Sequence, residues 1–255
     1  MTVISFLLPC ALMAQIAPPA SEIIQKAIAA GKLEHEKNWK YTFREDHEQV
    51  QIDKNGKPTP TETKTYEHIM LEGEEYKKLV LINGRPLDAK TQKKVDEDLD
   101  KTRTERRKRG PFHVTRTVEL GDLEQLERIF DNTVTGEETV LGRKTWRVES
   151  EPKAGYKAAD KREQELIAAR HTSWFDQADG TRIKWLDLFV RATNGFGAGT
   201  IFDWELTRVG DAWLLDNVGI KADMTIVLGI HARLQSRQRM YDYKRFTVDS
   251  TLTPQ

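Results

Sequence analysis

The feature that most constrains this chain is a repeated two-residue alternation of aromatic and polar side chains, broken at intervals by turn dipeptides. Trp39, Tyr41 and Phe43 alternate with Lys40, Thr42 and Arg44. Phe202, Trp204 and Leu206 alternate in the same way, as do Ile183 and Trp185, and Trp213 and Leu215. A period of two places successive side chains on opposite faces of a strand, so each segment predicts a strand with one apolar and one wet face. Asn55-Gly56, Asn83-Gly84, Asp179-Gly180 and Gly210-Asp211 supply the turns. Val50 and Ile52 run on the opposite phase from Phe43, which predicts a bulge or bend between them. Residues 66–71, 76–82 and 140–148 complete the strand pattern, and the last strand carries Tyr241 and Tyr243.

Three helices interrupt these strands. Ser21 is a good N-cap, and Ile23, Ile24, Ala27 and Ile28 form a stripe that predicts a short helix stopping at Ala30 before Gly31. Residues 122–131 present Leu123, Leu126, Ile129 and Phe130 on one face. Residues 88–109 differ: only Ala89, Val95 and Leu99 are apolar, with acids early and bases late, which suits a helix macrodipole. They read as a solvated, charged helical insertion ended by Gly110-Pro111. No linker or repeat divides the chain. The expectation is one domain of the mainly β, α+β class: a large, strongly curved antiparallel sheet with two or three helices. Roughly ten strands must close or curl around something that fills the hollow.

Residues 1–20 contain no charge, and residues 3–13 form an apolar run too short for a bilayer span. The run reads as a signal peptide over residues 1–14, ending at Ala14, with residues 15–255 as the single exported domain. A buried N-terminal helix or strand is the alternative. No other segment has the length and apolarity of a transmembrane helix. The expected location is the periplasm.

Composition excludes several classes. The 40 basic and 40 acidic side chains cancel, which argues against nucleic acid as a partner. Cys10 is the one cysteine, so no disulfide framework or cysteine metal site is available. Histidines 35, 47, 68, 113, 171 and 231 share no i,i+3 or i,i+4 spacing, so no metal is expected. His-Glu-x-x-His, Gly-x-Ser-x-Gly and phosphate-loop patterns are absent. Gly195-x-Gly197-x-Gly199 reads as a hairpin or bulge rather than a dinucleotide loop. No catalytic residue and no cofactor is assigned.

Trp174-Phe175-Asp176-x-x-Asp179-Gly180-Thr181-Arg182-Ile183 is similar to the tryptophan–apolar–Asp hairpin of outer-membrane lipoprotein-sorting proteins, the LolA/LolB-like superfamily. The 202–206 strand, Asp211-Ala212-Trp213 and Tyr241-Asp242-Tyr243-x-x-Phe246 follow in the order seen there. The resemblance loosely covers residues 36–248. It implies an unclosed β-barrel covered by helices, with an apolar cavity for acyl chains, and a non-enzymatic lipid- or lipoprotein-binding role. The helix at residues 88–109 departs from the minimal carriers.

The candidate ligand-binding set is Trp39, Tyr41, Phe43, Trp146, Trp174, Trp185, Phe202 and Trp204, several of which should face one concave side. The alternative is that they fill a solid core. An acyl chain gains about 0.8 kcal/mol per buried methylene, so lipid binding needs no charged anchor. Arg106, Arg107, Lys108 and Arg109 are the candidates for an anionic lipid surface or an envelope protein partner. Their alternative role is to complement the helix dipole and the preceding acids.

Overall fold

A computed structural model describes residues 17–38, 40–52, 57–59, 62–109, 121–193, 196–226 and 230–245. The proposed signal peptide, Trp39, Asn55-Gly56 and the segment after Arg245 lie outside them.

The chain begins with helix α1 (Ala20–Asn38) and strand β1 (Tyr41–Ile52). A two-residue strand β2 (Pro58–Thr59) precedes β3 (Lys64–Leu71), β4 (Glu74–Ile82) and another short strand, β5 (Arg85–Pro86). Helices α2 (Ala89–Arg109) and α3 (Gly121–Ile129) follow. Strands β6 (Phe130–Val140) and β7 (Arg143–Pro152), a short helix α4 (Lys161–Leu166), β8 (Ala169–Asp176) and β9 (Arg182–Phe189) come next. Strands β10 (Ile201–Val209), β11 (Ala212–Ile226) and β12 (Ile230–Arg245) close the sequence of elements. All the strands form one antiparallel sheet in the order β5-β4-β3-β1-β12-β11-β10-β9-β8-β7-β6, with β2 beside β1. Neighbours in that order are consecutive strands of the sequence except β1–β12 and β1–β3, and helix α4 lies in the β7–β8 connection. The β1–β12 ladder runs from Tyr41↔Arg245 to Ile52↔Arg233 and joins the two halves. Strands β5 and β6 remain at opposite edges, so the strongly curved sheet does not close.

One face of the sheet carries helices α1 and α3, and we call it the inner face. Ile23, Ile24 and Ala27 of α1 pack with Leu123, Leu126 and Ile129 of α3 over Phe130, Trp146, Val148 and Phe175. This explains a departure from expectation: α1 runs through Gly31 to Asn38. A glycine inside a helix costs about 1 kcal/mol relative to alanine. Contacts beyond Gly31 offset it. Glu34 accepts the Trp213 backbone N–H at 2.8 Å, and Lys37 donates to the Asp211 carbonyl at 3.0 Å. The expected bulge between Phe43 and Val50 is also displaced. β1 is continuous, and its register against β12 shifts between Thr42 and Arg44.

Helix α2 occupies the charged segment and has no buried residue. It leans on β4, where the Tyr76 hydroxyl donates to Asp98 at 2.7 Å. Tyr76 pairs with Ile69, one position out of phase with His68 and Lys77, so α2 meets the outer side.

Candidate ligand-binding trough

Directly paired residues of antiparallel strands share a face. The ladders therefore trace two rows across the inner face. The first passes from Ser173 through Trp185, Trp204, Val218, Gln238 and His47 to Lys64. The second passes from Asp187 through Phe202, Ile220 and Ser236 to Gln49. Both rows change character at the same place. Apart from Asp187 at the start of the second row, the residues on β9 to β11 are aromatic or aliphatic; from β12 to β3 they are polar.

The apolar end is built from stacked rings. Trp185 and Trp204 lie 5.5 Å apart at 8° between planes. Trp185 is buried with Ile183, Leu206 and Trp213, whereas Trp204 packs against this group and keeps part of its surface. The Trp204 Nε1 atom is buried without a hydrogen-bond partner. Phe202 is half-buried too, 5.7 Å from Phe189 and 5.3 Å from Phe196. Ile220 beside it is likewise half-buried.

The polar end rests on a buried charge cluster. Glu45 accepts from Lys77 Nζ at 2.6 Å and from His68 Nε2 at 2.7 Å. His68 Nδ1 pairs with Glu75. Burial opposes the charge on Glu45, but the His68 and Lys77 hydrogen bonds hold its carboxyl below the usual range. Burial likewise opposes a charged His68, but its two carboxylates raise the imidazole above the ordinary value. His47 goes the other way: burial and the nearby Lys77 lower it. Next to this cluster lies a groove of about 520 Å³ lined by His47, Gln49, Glu62, Lys64 and Tyr66. Lys77 Nζ stands 4.2 Å from the centre of the Tyr66 ring.

His47 Nε2 is 3.0 Å from Ser236 Oγ, but His47 Nδ1 is 4.0 Å from Glu45 Oε1. That gap is too long for a hydrogen bond, and Lys77 already holds the same oxygen. The three side chains do not form the relay a nucleophilic serine needs.

The remaining sequence candidates are dispersed. Trp39 lies outside the described residues. Tyr41 is buried in a satellite cluster with Ala212 and Leu214. Phe43 stacks on His68 at 4.1 Å, against the charge cluster. Trp146 is core beneath α1 and α3. Trp174 pairs with Arg147 and Lys184 and lies on the outer face, because its neighbours Ser173 and Phe175 point inward. Its indole N–H donates to Glu138 at 2.7 Å. The aromatics therefore do not line one surface together; Trp185, Phe202 and Trp204 do.

The basic run at the end of α2 is largely engaged with the β3–β4 turn. Arg106 donates to the carbonyls of Leu71, Glu74 and Glu75 at 2.9, 2.9 and 2.8 Å. Arg107 pairs with Glu72 and Arg109 with Glu74, both at 2.9 Å. Lys108 is exposed.

The sequence reading missed Glu45, Lys64, His68 and Lys77. A signal was present: Glu45 and His47 are two apart on a strand, and so are Tyr66 and His68. Which face they occupy depends on the β1–β12 pairing, which spans almost the whole chain.

Among solved structures, the chain is similar to an outer membrane lipoprotein-sorting protein domain from Vibrio parahaemolyticus, at 11% identity and a TM-score of 0.37, covering 88% of this chain and 94% of that one. It is similar to LolA superfamily protein NE2245 from Nitrosomonas europaea, at 10% identity and a TM-score of 0.34, covering 94% and 99%. It is also similar to the Mycobacterium tuberculosis lipoprotein LppX, at 10% identity and a TM-score of 0.31, covering 90% and 98%. No family model and no curated protein sequence matches the chain.

Proposed function

We propose that this protein is an exported, periplasmic binding protein of the cell envelope that holds an acyl chain of a lipid or lipoprotein, and that it works by binding rather than turnover. The observation that carries this reading is the apolar end of the trough. Phe202, Trp204 and Ile220 share one face and all keep part of their surface accessible. A sheet with free edges lets a chain enter from the side, which a closed, solidly packed barrel forbids. Ten buried methylenes supply about 8 kcal/mol before ordering costs, enough for micromolar binding. The test is native mass spectrometry of the protein purified from the periplasm without detergent, followed by organic extraction. A co-purifying acyl species that is lost in Phe202→Ala and Trp204→Ala supports the reading. An unchanged apo mass after incubation with lipids rejects it.

A second reading has one observation in its favour. Helix α2 buries no residue, yet its C-terminal turn is fastened to β3–β4 by three arginines. A helix held in place with its long side exposed suits contact with an envelope protein. Exchanging exposed acids such as Glu97 for lysine should then abolish partner capture without affecting lipid binding.

A further inference from the structure

The charges at the polar end determine what kind of headgroup it suits. Beside the groove the carboxylates of Glu45 and Glu75 are already engaged: His68 bridges the two, and Lys77 holds Glu45 as well. A ligand gains little by competing with those bonds. Among the described residues the groove is lined by one cation and one anion with accessible side chains. Lys64 Nζ and Glu62 Oε2 are 3.7 Å apart, with 41% and 50% of their side-chain surfaces exposed. The other lining residues, His47, Gln49 and Tyr66, are uncharged hydrogen-bonding groups at neutral pH. Lys64 follows His47, Gln238, Val218 and Trp204 along one ladder row, so the polar and apolar ends share one face of the sheet. The row from Trp204 to Lys64 crosses four strand spacings, about 19 Å if flat and less when curved.

We infer that the groove lined by His47, Gln49, Glu62, Lys64 and Tyr66 is a subsite for a zwitterionic phosphate–ammonium headgroup of the phosphoethanolamine type. Lys64 takes the phosphate, and Glu62 takes the ammonium. A headgroup with only a negative charge meets Glu62 without compensation, and a bare carboxylate leaves one half of the pair unused. The Lys64–Glu62 ion pair is half-exposed and inexpensive to open, since exposed pairs contribute little on their own. The inference rests on the acyl-chain reading above, because the headgroup is placed by the chain attached to it.

The experiment compares three ligands of one chain length on the full-length mature protein: a lysophosphatidylethanolamine, a lysophosphatidylglycerol and the free fatty acid. Free O-phosphoethanolamine is the fourth ligand. Binding is read by intrinsic tryptophan fluorescence below each amphipath's critical micelle concentration. The expected result is tighter binding of lysophosphatidylethanolamine than of the other two amphipaths, by about fivefold, the scale of two half-exposed ion pairs. Glu62→Gln and Lys64→Gln should each erase that margin. A margin that survives both substitutions, or a preference for lysophosphatidylglycerol, overturns the headgroup assignment and leaves the acyl-chain reading standing. Free O-phosphoethanolamine binding as tightly as the lysolipid overturns the lipid source. No binding of any chain-bearing ligand overturns both readings.

Discussion

His68 Nε2 lies 2.7 Å from Glu45 Oε2 across the β1–β3 pair, and both side chains are buried. Lys77 reaches the other oxygen of the same carboxylate at 2.6 Å. Removing the charge from Glu45 therefore leaves Lys77 and His68 facing a buried amide. Breaking a buried pair costs about 3–5 kcal/mol, and the partial exposure of Lys77 moves the expectation to about 2–3 kcal/mol. Urea unfolding of Glu45→Gln at neutral pH measures it. A loss under about 0.5 kcal/mol would class it with ordinary surface substitutions and sink the claim.

The two histidines give opposite pH signatures. His68 is raised in the folded state by its carboxylates, against the effect of burial, so its stabilisation is complete below the unfolded value of 6.5 and fades as pH climbs through the higher folded value. His47 is lowered by burial and Lys77, so the neutral form is favoured, and the wild type loses stability as pH falls below 6.5. His68→Gln should lose most at mildly acidic pH and approach the wild type in alkali. His47→Gln should compare best with the wild type in acid. Unfolding midpoints at three pH values across this window separate the two; parallel curves for both variants would contradict the assignment.

Asp179 ties the turn of the β8–β9 hairpin to the neighbouring strands. Its Oδ2 accepts the Trp213 indole N–H at 2.9 Å and an Arg208 N–H at 3.0 Å, and its Oδ1 accepts the Thr181 backbone N–H at 3.0 Å. Burial opposes its charge, but the Trp213 and Thr181 donors and the nearby Arg143 charge hold the Asp179 carboxyl below the usual range. Asp179→Ala strands the Trp213 donor and should cost about 1–3 kcal/mol. Trp213 emission should shift to the red as water reaches the indole. An unaltered spectrum together with an unaltered midpoint would mean that Asp179 is dispensable.

The strands were legible because their alternation reports local exposure. Phe202, Trp204 and Leu206 declare a half-buried strand without reference to any partner. The charged helix α2 was legible for the same reason, since it needs no tertiary contact to explain its pattern. Three things were not. The length of α1 depends on Glu34 and Lys37 reaching the β10–β11 turn, and local propensity at Gly31 says the opposite. Trp174 belongs to an aromatic-rich segment, but a one-residue phase puts it outside. Glu45 and His68 look like solvated polar residues until β12 and β3 are placed on either side of β1.

Trp185 and Trp204 form a stacked pair with unequal roles. Trp185 is buried, so Trp185→Ala should cost about 3–5 kcal/mol, as for other buried aromatic truncations. Trp204 carries a buried indole N–H with no acceptor, an arrangement that costs about 1–3 kcal/mol. Trp204→Phe removes that unmet donor and keeps an aromatic ring against Trp185. Thermal unfolding should place Trp204→Phe within about 1 kcal/mol of the wild type, far above Trp185→Ala. Similar large losses in both would show that the Trp204 indole is satisfied in solution.

Arg106 is the side chain through which α2 is most firmly attached. It donates to three backbone carbonyls of the β3–β4 turn, and its guanidinium also lies over the Tyr76 ring at 5.9 Å. Arg107 and Arg109 make exposed ion pairs, which contribute little. Because α2 buries no residue, loss of Arg106 should free the helix without unfolding the sheet. Arg106→Ala should raise amide exchange across Ala89–Arg109 by tenfold or more, about 1.4 kcal/mol of local stability, while β7 and β8 keep their protection. Arg107→Ala should leave exchange in α2 nearly unchanged. Equal acceleration in the two variants would show that the carbonyl contacts of Arg106 are no stronger an anchor than a surface ion pair.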